Sequence, residues 1–200
     1  MARPQSGDYD IRKQKILDTA SGIFAIDGYH KASISEIAKA CAMSKSLIYH
    51  YFPSKQDILY HAMLDHVREL DKLSKEVTSL DLPPEQSLKK IIRRYLHVYE
   101  KTVSQHHLLI NELGSITPEQ KHEVVSIQNN VVRAFADLAE AISPAPLNRH
   151  KAKTAISMLM LGMINWTYIW FEPDGPLSSD QMANIITRMF IEGLKGLNDV

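Results

Sequence analysis

The sequence predicts an all-α protein of about nine helices. Three observations carry that expectation. Apolar residues recur at three- and four-residue steps through most of the chain, serine, glycine and proline punctuation falls between those stretches, and the alternating pattern of strands is almost absent. With 200 residues and 44% hydrophobic content, the chain can bury one sizeable core, or a small module joined to a larger one.

The first helix is expected from about Asp10 to Asp27, with Ile16, Leu17, Ala20, Ile23 and Phe24 on one face and Gly28 as its stop. Tyr29 to Ala32 is a short connector. Ser33 and Glu36 stand at the spacing of a capping box, so a short helix follows from Ile34 to about Cys41. Ala42-Met43 makes a tight turn, and Ser44 is the N-cap of a second short helix, Lys45 to Tyr51. Phe52-Pro53 ends it, because proline disfavours helical geometry in the residue before it. Ser54 then caps a long helix from Lys55 to about Val77, with a stripe of Ile58, Leu59, Met63, Val67, Leu70, Leu73 and Val77. Beyond Pro83-Pro84, helical patterns cover Glu85–Val103, His106–Leu113, Pro118–Ile142, Asn148–Phe171 and Ser179–Leu197. No internal repeat and no low-complexity tract interrupts them.

Two short helices joined by a tight turn and preceded by a third outline a helix-turn-helix. Ile37, Ala38, Leu47, Ile48 and Phe52 can pack the pair against Ile23 and Phe24, leaving Ser44, Lys45, Ser46, Tyr49 and His50 outward. Lys45 supplies charge to a phosphate or base edge, and Tyr49 and His50 offer flat rings with polar tips. Lys55, with the N–H groups of its helix, reads as another phosphate clamp. Charge agrees. Residues 1–55 hold eight lysines and arginines against five acids, a balance of +3, while the whole chain is neutral.

The run from Gly28 through Tyr29-His30-Lys31-Ala32-Ser33-Ile34-Ser35-Glu36 to Ser44-Lys45-Ser46-Leu47-Ile48-Tyr49-His50-Tyr51-Phe52-Pro53-Ser54-Lys55 resembles the DNA-binding signature of the TetR family. The resemblance implies a TetR-like fold: a DNA-binding domain over residues 1–55 and a helical effector-binding and dimerisation domain over residues 56–200. It assigns DNA contacts to Ser33, Ser44, Lys45, Leu47, Tyr49, His50 and Lys55, to which the outward face adds Ser46. It departs at Ala42, where the family pattern has glycine. A positive φ there would cost an alanine about 1 kcal/mol.

The implied function is a ligand-responsive repressor that grips a palindromic double-stranded DNA operator as a homodimer and is released by a small molecule. A recognition helix of this length reads few base pairs, so two heads on neighbouring major grooves are needed. The helices near 148–171 and 179–197 are the expected dimer elements, with Ile156, Leu159, Met160, Met163, Ile185, Ile186, Met189, Phe190 and Leu194 serving either the interface or the internal core. Effector binding is expected to tilt the helix that begins at Lys55 and change the separation of the heads.

For the effector, residues suited to a pocket include Tyr95, Tyr99, Asn111, Trp166 and Trp170. The segment Gly162 to Ser178, with Asn165-Trp166-Thr167-Tyr168-Ile169-Trp170, looks like one in TetR-family repressors of fatty-acid, steroid and aromatic-acid degradation, several of which answer to acyl-CoA thioesters. That likeness implies an acyl group among Tyr99, Trp166 and Trp170. Arg93, Arg94 or Arg133 would meet the CoA phosphates, unless they are ordinary surface charges.

Other classes find little support. The single cysteine, Cys41, excludes an internal disulfide and suits a reducing cytoplasm. The nine histidines show no metal-ligand spacing: His61 and His66 project about 140° apart around a helix, and the adjacent His106 and His107 face different ways. No catalytic elbow, phosphate loop or cofactor motif is present, so no catalytic residue, metal or cofactor is assigned. No run approaches the roughly 20 apolar residues that cross a bilayer. The alternatives are an activator, an effector-independent DNA-binding protein, or, from another class, a small-molecule carrier or enzyme with a vestigial head.

Overall fold

The computed structural model describes residues 6–144 and 152–197, all of whose regular structure is helical. The helices are α1 (Ser6–Asp27), α2 (Ile34–Cys41), α3 (Lys45–Tyr51), α4 (Lys55–Thr78), α5 (Pro84–Lys101), α6 (Val103–Asn111), α7 (Pro118–Ile142), α8 (Lys153–Asn165), α9 (Thr167–Trp170) and α10 (Ser179–Gly196). Helix α1 starts a turn earlier than its apolar stripe suggested. Part of the expected helix 148–171 lies outside the described residues, and the remainder is divided at Trp166. There the Thr167 hydroxyl donates to the Ile164 carbonyl at 2.6 Å, a side-chain bond that competes with the helical ladder.

The expected punctuation is in place. Gly28 has φ 85°, a left-handed conformation that glycine adopts without strain. Ser33 forms the full capping box: its hydroxyl accepts the Glu36 N–H at 3.3 Å, and the Glu36 carboxylate accepts the Ser33 N–H at 2.7 Å. Ala42 is left-handed at φ 55°, ψ 43°, and closes α2 with two bonds, its own N–H to the Lys39 carbonyl at 3.1 Å and the Met43 N–H to the Ala38 carbonyl at 2.9 Å. An alanine held there costs about 1 kcal/mol relative to glycine.

Packing divides the chain into two units, Met1–Val67 with Thr102–Val124, and Arg68–Lys101 with Val125–Val200. The first unit thus reaches beyond residue 55 and takes in α6, which packs along α1; the Gln105 amide donates to the Asp18 carboxylate at 3.0 Å. Ile16, Leu17, Ala20 and Phe24 of α1 are buried with Ile37, Ala38 and Cys41 of α2, Ile48 of α3, Phe52, and Ile58, Leu59 and Met63 of α4. In the second unit, α5 lies against α10, and Ile91, Ile92, Tyr95, Phe135, Met160, Ile164, Ile186 and Phe190 belong to one apolar cluster. Arg93 grips Asp180 with two bonds and Lys195 pairs with Glu85, so charged side chains border the α5–α10 packing.

Two histidines far apart in sequence meet in the first unit. His66 and His106 are both buried, with Nε2 of one 3.1 Å from Nδ1 of the other. One imidazole donates and the other accepts, so the accepting ring is uncharged. Burial, reinforced by the neighbouring His106 ring, pushes the His66 pKa down to about 3. The unfolded chain takes up that proton below the ordinary 6.5, so the stability involved is complete above that pH and is lost as pH falls toward about 3. Urea unfolding is expected to show stability declining between about pH 7 and pH 5, by at most about 1.4 kcal/mol per pH unit from this group. His66→Gln, which keeps hydrogen-bonding atoms but takes no proton, should decline less; an equal decline in both chains would contradict the assignment.

Candidate functional site

Helix α3 has only seven residues, too few to hold its own shape, and its orientation is imposed from both ends. At the N-terminus, Ser44 is extended (φ −76°, ψ 154°) and its hydroxyl accepts the Leu47 N–H at 3.2 Å. At the other end, Ile48 and Phe52 are driven into the core, and Phe52 leaves helical geometry at φ −137° before Pro53. With Ile48 inward, Ser44, Lys45, Ser46, Tyr49 and His50 all stand exposed, and Leu47 is half-buried at their edge. Tyr49 is 51% exposed. The Ser44 and Ser46 hydroxyls lie 2.9 Å apart, leaving one cation, two rings and a hydroxyl pair on a convex face. Such a face can donate to phosphates and read base edges. Ser33 stands at the start of α2. Its hydroxyl and N–H bond the Glu36 carboxylate and hold it below its ordinary pKa.

Lys55 departs from the expected phosphate clamp. Its ammonium donates to the carbonyls of Tyr29 at 2.8 Å, Ala32 at 2.8 Å and His30 at 3.3 Å, and lies 4.5 Å from the centre of the Tyr29 ring. All three donors are used in tying the α1–α2 connector to the start of α4. Nothing local in the sequence links Lys55 to carbonyls more than twenty positions upstream, so the role was not legible there. Tyr9 was missed for a different reason. The expected start at Asp10 left it outside the helix, whereas α1 from Ser6 puts Tyr9, Lys13 and Ile16 along one side, with the Tyr9 ring against Tyr51.

The residues proposed for the effector do not converge. In the second unit Tyr95 is buried, donating to the Leu70 carbonyl and bonded to the Ser74 hydroxyl at 2.7 Å. Tyr99, also buried, donates to the Asn165 side chain at 2.8 Å, and burial pushes its pKa well up, so it stays a neutral donor. Trp166 and Trp170 are 62% and 55% exposed, whereas Tyr99 is buried. Arg94 pairs with Glu76 at the surface, at 3.1 Å. Asn111 belongs to the first unit, where its amide donates to the His107 carbonyl. Arg133, by contrast, lines a groove of the second unit. This groove of about 480 Å³ has Asp71, Ser74, Lys75 and Thr78 of α4 on one wall and Asn130, Arg133, Ala134, Asp137 and Leu138 of α7 on the other. Its volume falls in the range of small-molecule sites. Lys75 is paired with Asp71, and Asp137 with Lys153, while the Arg133 guanidinium makes a single long bond of 3.4 Å to Asn130.

The stripes expected to serve either dimer or core divide by face. Ile156, Met160, Ile186, Phe190 and Leu194 are buried and Met163 is half-buried, whereas Leu159, Ile185 and Met189 are exposed, Leu159 by 71%. Met158 on α8, and Trp166 just after it, are exposed as well, so α8 and α10 each carry exposed apolar side chains among the described residues. Among the described residues, no helix is long and apolar enough to cross a membrane, and no group of three histidines, cysteines or carboxylates is placed to hold a metal ion.

Comparison with known proteins bears on these faces. Residues 16–62 match the family described as "Bacterial regulatory proteins, tetR family", and residues 81–194 match "Tetracyclin repressor-like, C-terminal domain". A TetR-family transcriptional regulator from Bordetella parapertussis 12822 superposes with a TM-score of 0.85 at 29% identity, covering 92% of this chain and 94% of that one. AibR, solved in complex with isovaleryl coenzyme A and operator DNA, gives 0.75 at 26% identity, covering 89% and 97%. The HTH-type transcriptional activator FasR of Mycolicibacterium smegmatis is 26% identical over 86% of this chain and 77% of its own length.

The two roles for Lys55 separate experimentally. Lys55→Met, which keeps the stem and removes the ammonium, should lower unfolding stability by about 2 kcal/mol. The salt dependence of duplex binding should stay as in the parent chain. A slope reduced by about one, with stability unchanged, would restore the phosphate clamp.

Proposed function

The chain belongs to the TetR family of bacterial regulatory proteins, and from that premise we propose that it is a ligand-responsive transcriptional repressor that binds a palindromic operator as a homodimer. The observation that carries the reading is the outward face of α3, where Ser44, Lys45, Ser46, Tyr49 and His50 are exposed while Ile48 anchors the helix. A helix this short meets only a few base pairs, so useful specificity needs two heads about 34–36 Å apart on successive major grooves. The exposed side chains of Leu159 on α8, of Ile185 and Met189 on α10, and of Trp166 at the end of α8 supply an apolar surface for a second copy.

The effector in this reading is an acyl-CoA thioester, by analogy with the isovaleryl coenzyme A bound by AibR. The groove between α4 and α7 offers Arg133 to an anionic phosphate, and Ser74, Thr78 and Asn130 to polar atoms. Occupancy of that groove would shift α4, the helix that begins at Lys55 directly after the α3 segment, and alter the spacing of the two heads. Coupling of this kind is reciprocal: operator must weaken effector binding by the same factor as effector weakens operator binding. A second reading, an activator, is favoured by the name of the relative FasR.

Lys45→Ala should weaken binding to every duplex and lower the slope of log affinity against log salt by about one. An unchanged slope would remove Lys45 from the phosphate contacts. For the effector, fluorescence anisotropy of a bound duplex is measured with isovaleryl-CoA, longer acyl-CoAs and free CoA. A thioester should lower affinity by about 5-fold or more and free CoA should not, with the effect reduced in Arg133→Ala. Tighter binding with a thioester would favour the activator, and no response to any thioester would overturn the effector assignment.

A further inference from the structure

The outer end of α3 is bracketed by a residue from the first turns of α1. The Tyr9 ring lies 4.6 Å from the Tyr51 ring at a tilt of 34°, and meets His50 edge-on at 6.5 Å and 84°. His50 and Tyr51 are themselves edge-to-face, 5.6 Å apart at 83°. One turn further along α1, the Lys13 ammonium is 5.9 Å from the centre of the Phe52 ring. Three aromatic rings therefore form a closed cluster across two helices, and its members differ in exposure: Tyr51 is half-buried, His50 is exposed, and Tyr9 is 41% exposed. The cluster adds little to the core, which Ile48 and Phe52 already fill. What it constrains is the rotamer of two side chains at the end of a helix too short to constrain them itself.

We infer that Tyr9 is a positioning residue for sequence recognition, holding the His50 ring, directly and through Tyr51, in the orientation that meets the duplex while making no contact of its own with bases or phosphates. The inference rests on the reading of α3 as the duplex-reading helix. Aromatic pairs in offset and edge-on arrangements shift an equilibrium by about two- to tenfold beyond simple burial. A ring fixed before binding spares the complex the loss of that rotamer freedom, and a misplaced ring forfeits a base contact but no phosphate contact. The consequence is specific: loss of Tyr9 should erode discrimination between sequences and leave the electrostatic part of binding alone.

The test uses the full chain and a duplex enriched by it from a randomised 30-base-pair pool, beside a scrambled duplex of the same composition. Dissociation constants are measured at several salt concentrations, with thermal midpoints of the free proteins. Tyr9→Leu should reduce the ratio of enriched to scrambled affinity by about fivefold, with the salt slope unchanged. Tyr9→Phe, which keeps the stack, should restore the ratio to within about twofold, and in a His50→Ala background Tyr9→Leu should cost much less. Tyr9→Gln carries the same expectation if the leucine chain fails to fold. An unchanged ratio would overturn the inference, as would a phenylalanine chain as defective as the leucine one, or an equal loss on both duplexes with a reduced slope. If the parent chain enriches no duplex, the reading of α3 fails; if it enriches one and Tyr9→Leu discriminates equally well, only the role of Tyr9 fails.

Discussion

The structure turns on how a helix of seven residues is made to face one way. Alone, such a segment has too few hydrogen bonds to offset the cost of nucleating it. Its direction comes from three local devices: the left-handed turn at Ala42, the Ser44 cap, and the insertion of Ile48 into the core. Because the helical repeat is 3.6 residues, burying Ile48 places Ser46 and His50, two positions away on either side, opposite the core. One buried isoleucine therefore decides which side chains are available for a duplex, and the unfavourable conformation of Ala42 is tolerated because the two hydrogen bonds closing α2 depend on it.

The parts legible in the sequence were those determined within about four positions. Ser33 with Glu36 and Ser44 with Leu47 each join a side chain to a backbone group in the same turn, Gly28 stops α1 by a positive φ of its own, and each stands as read. The bounds of α7, Pro118 and Ile142, agree with the reading for the same reason: a proline suited to a first turn at one end and a loss of periodicity at the other. The parts that were not legible depend on partners distant in sequence. The carbonyls that take up Lys55, the ring that meets Tyr9, and the pairing of His66 with His106 are set by how helices stack. Spacing rules speak for one helix at a time, so histidines on different helices looked unrelated.

The second unit shows the limit of composition as a guide to a pocket. Tyr95 and Tyr99 have the amphipathic character of pocket walls, yet both hydroxyls are engaged inside the unit, by Ser74 and Leu70 and by Asn165. A groove lies instead along two polar helix faces, Asp71 to Thr78 and Asn130 to Leu138. Periodicity likewise identified apolar stripes on α8 and α10 without separating their two faces. Leu159 and Met189 remain bare while Met160 and Phe190, their immediate neighbours in sequence, are buried.

The central claim is that residues 44–50 are the surface that meets the duplex. Backbone amide hydrogen exchange, followed with and without a duplex enriched from a random pool, tests it most directly. The account predicts that added protection is concentrated in 44–51 and at the start of α2 near Ser33. Protection confined to other helices, with exchange across 44–51 unchanged by saturating duplex, would contradict it.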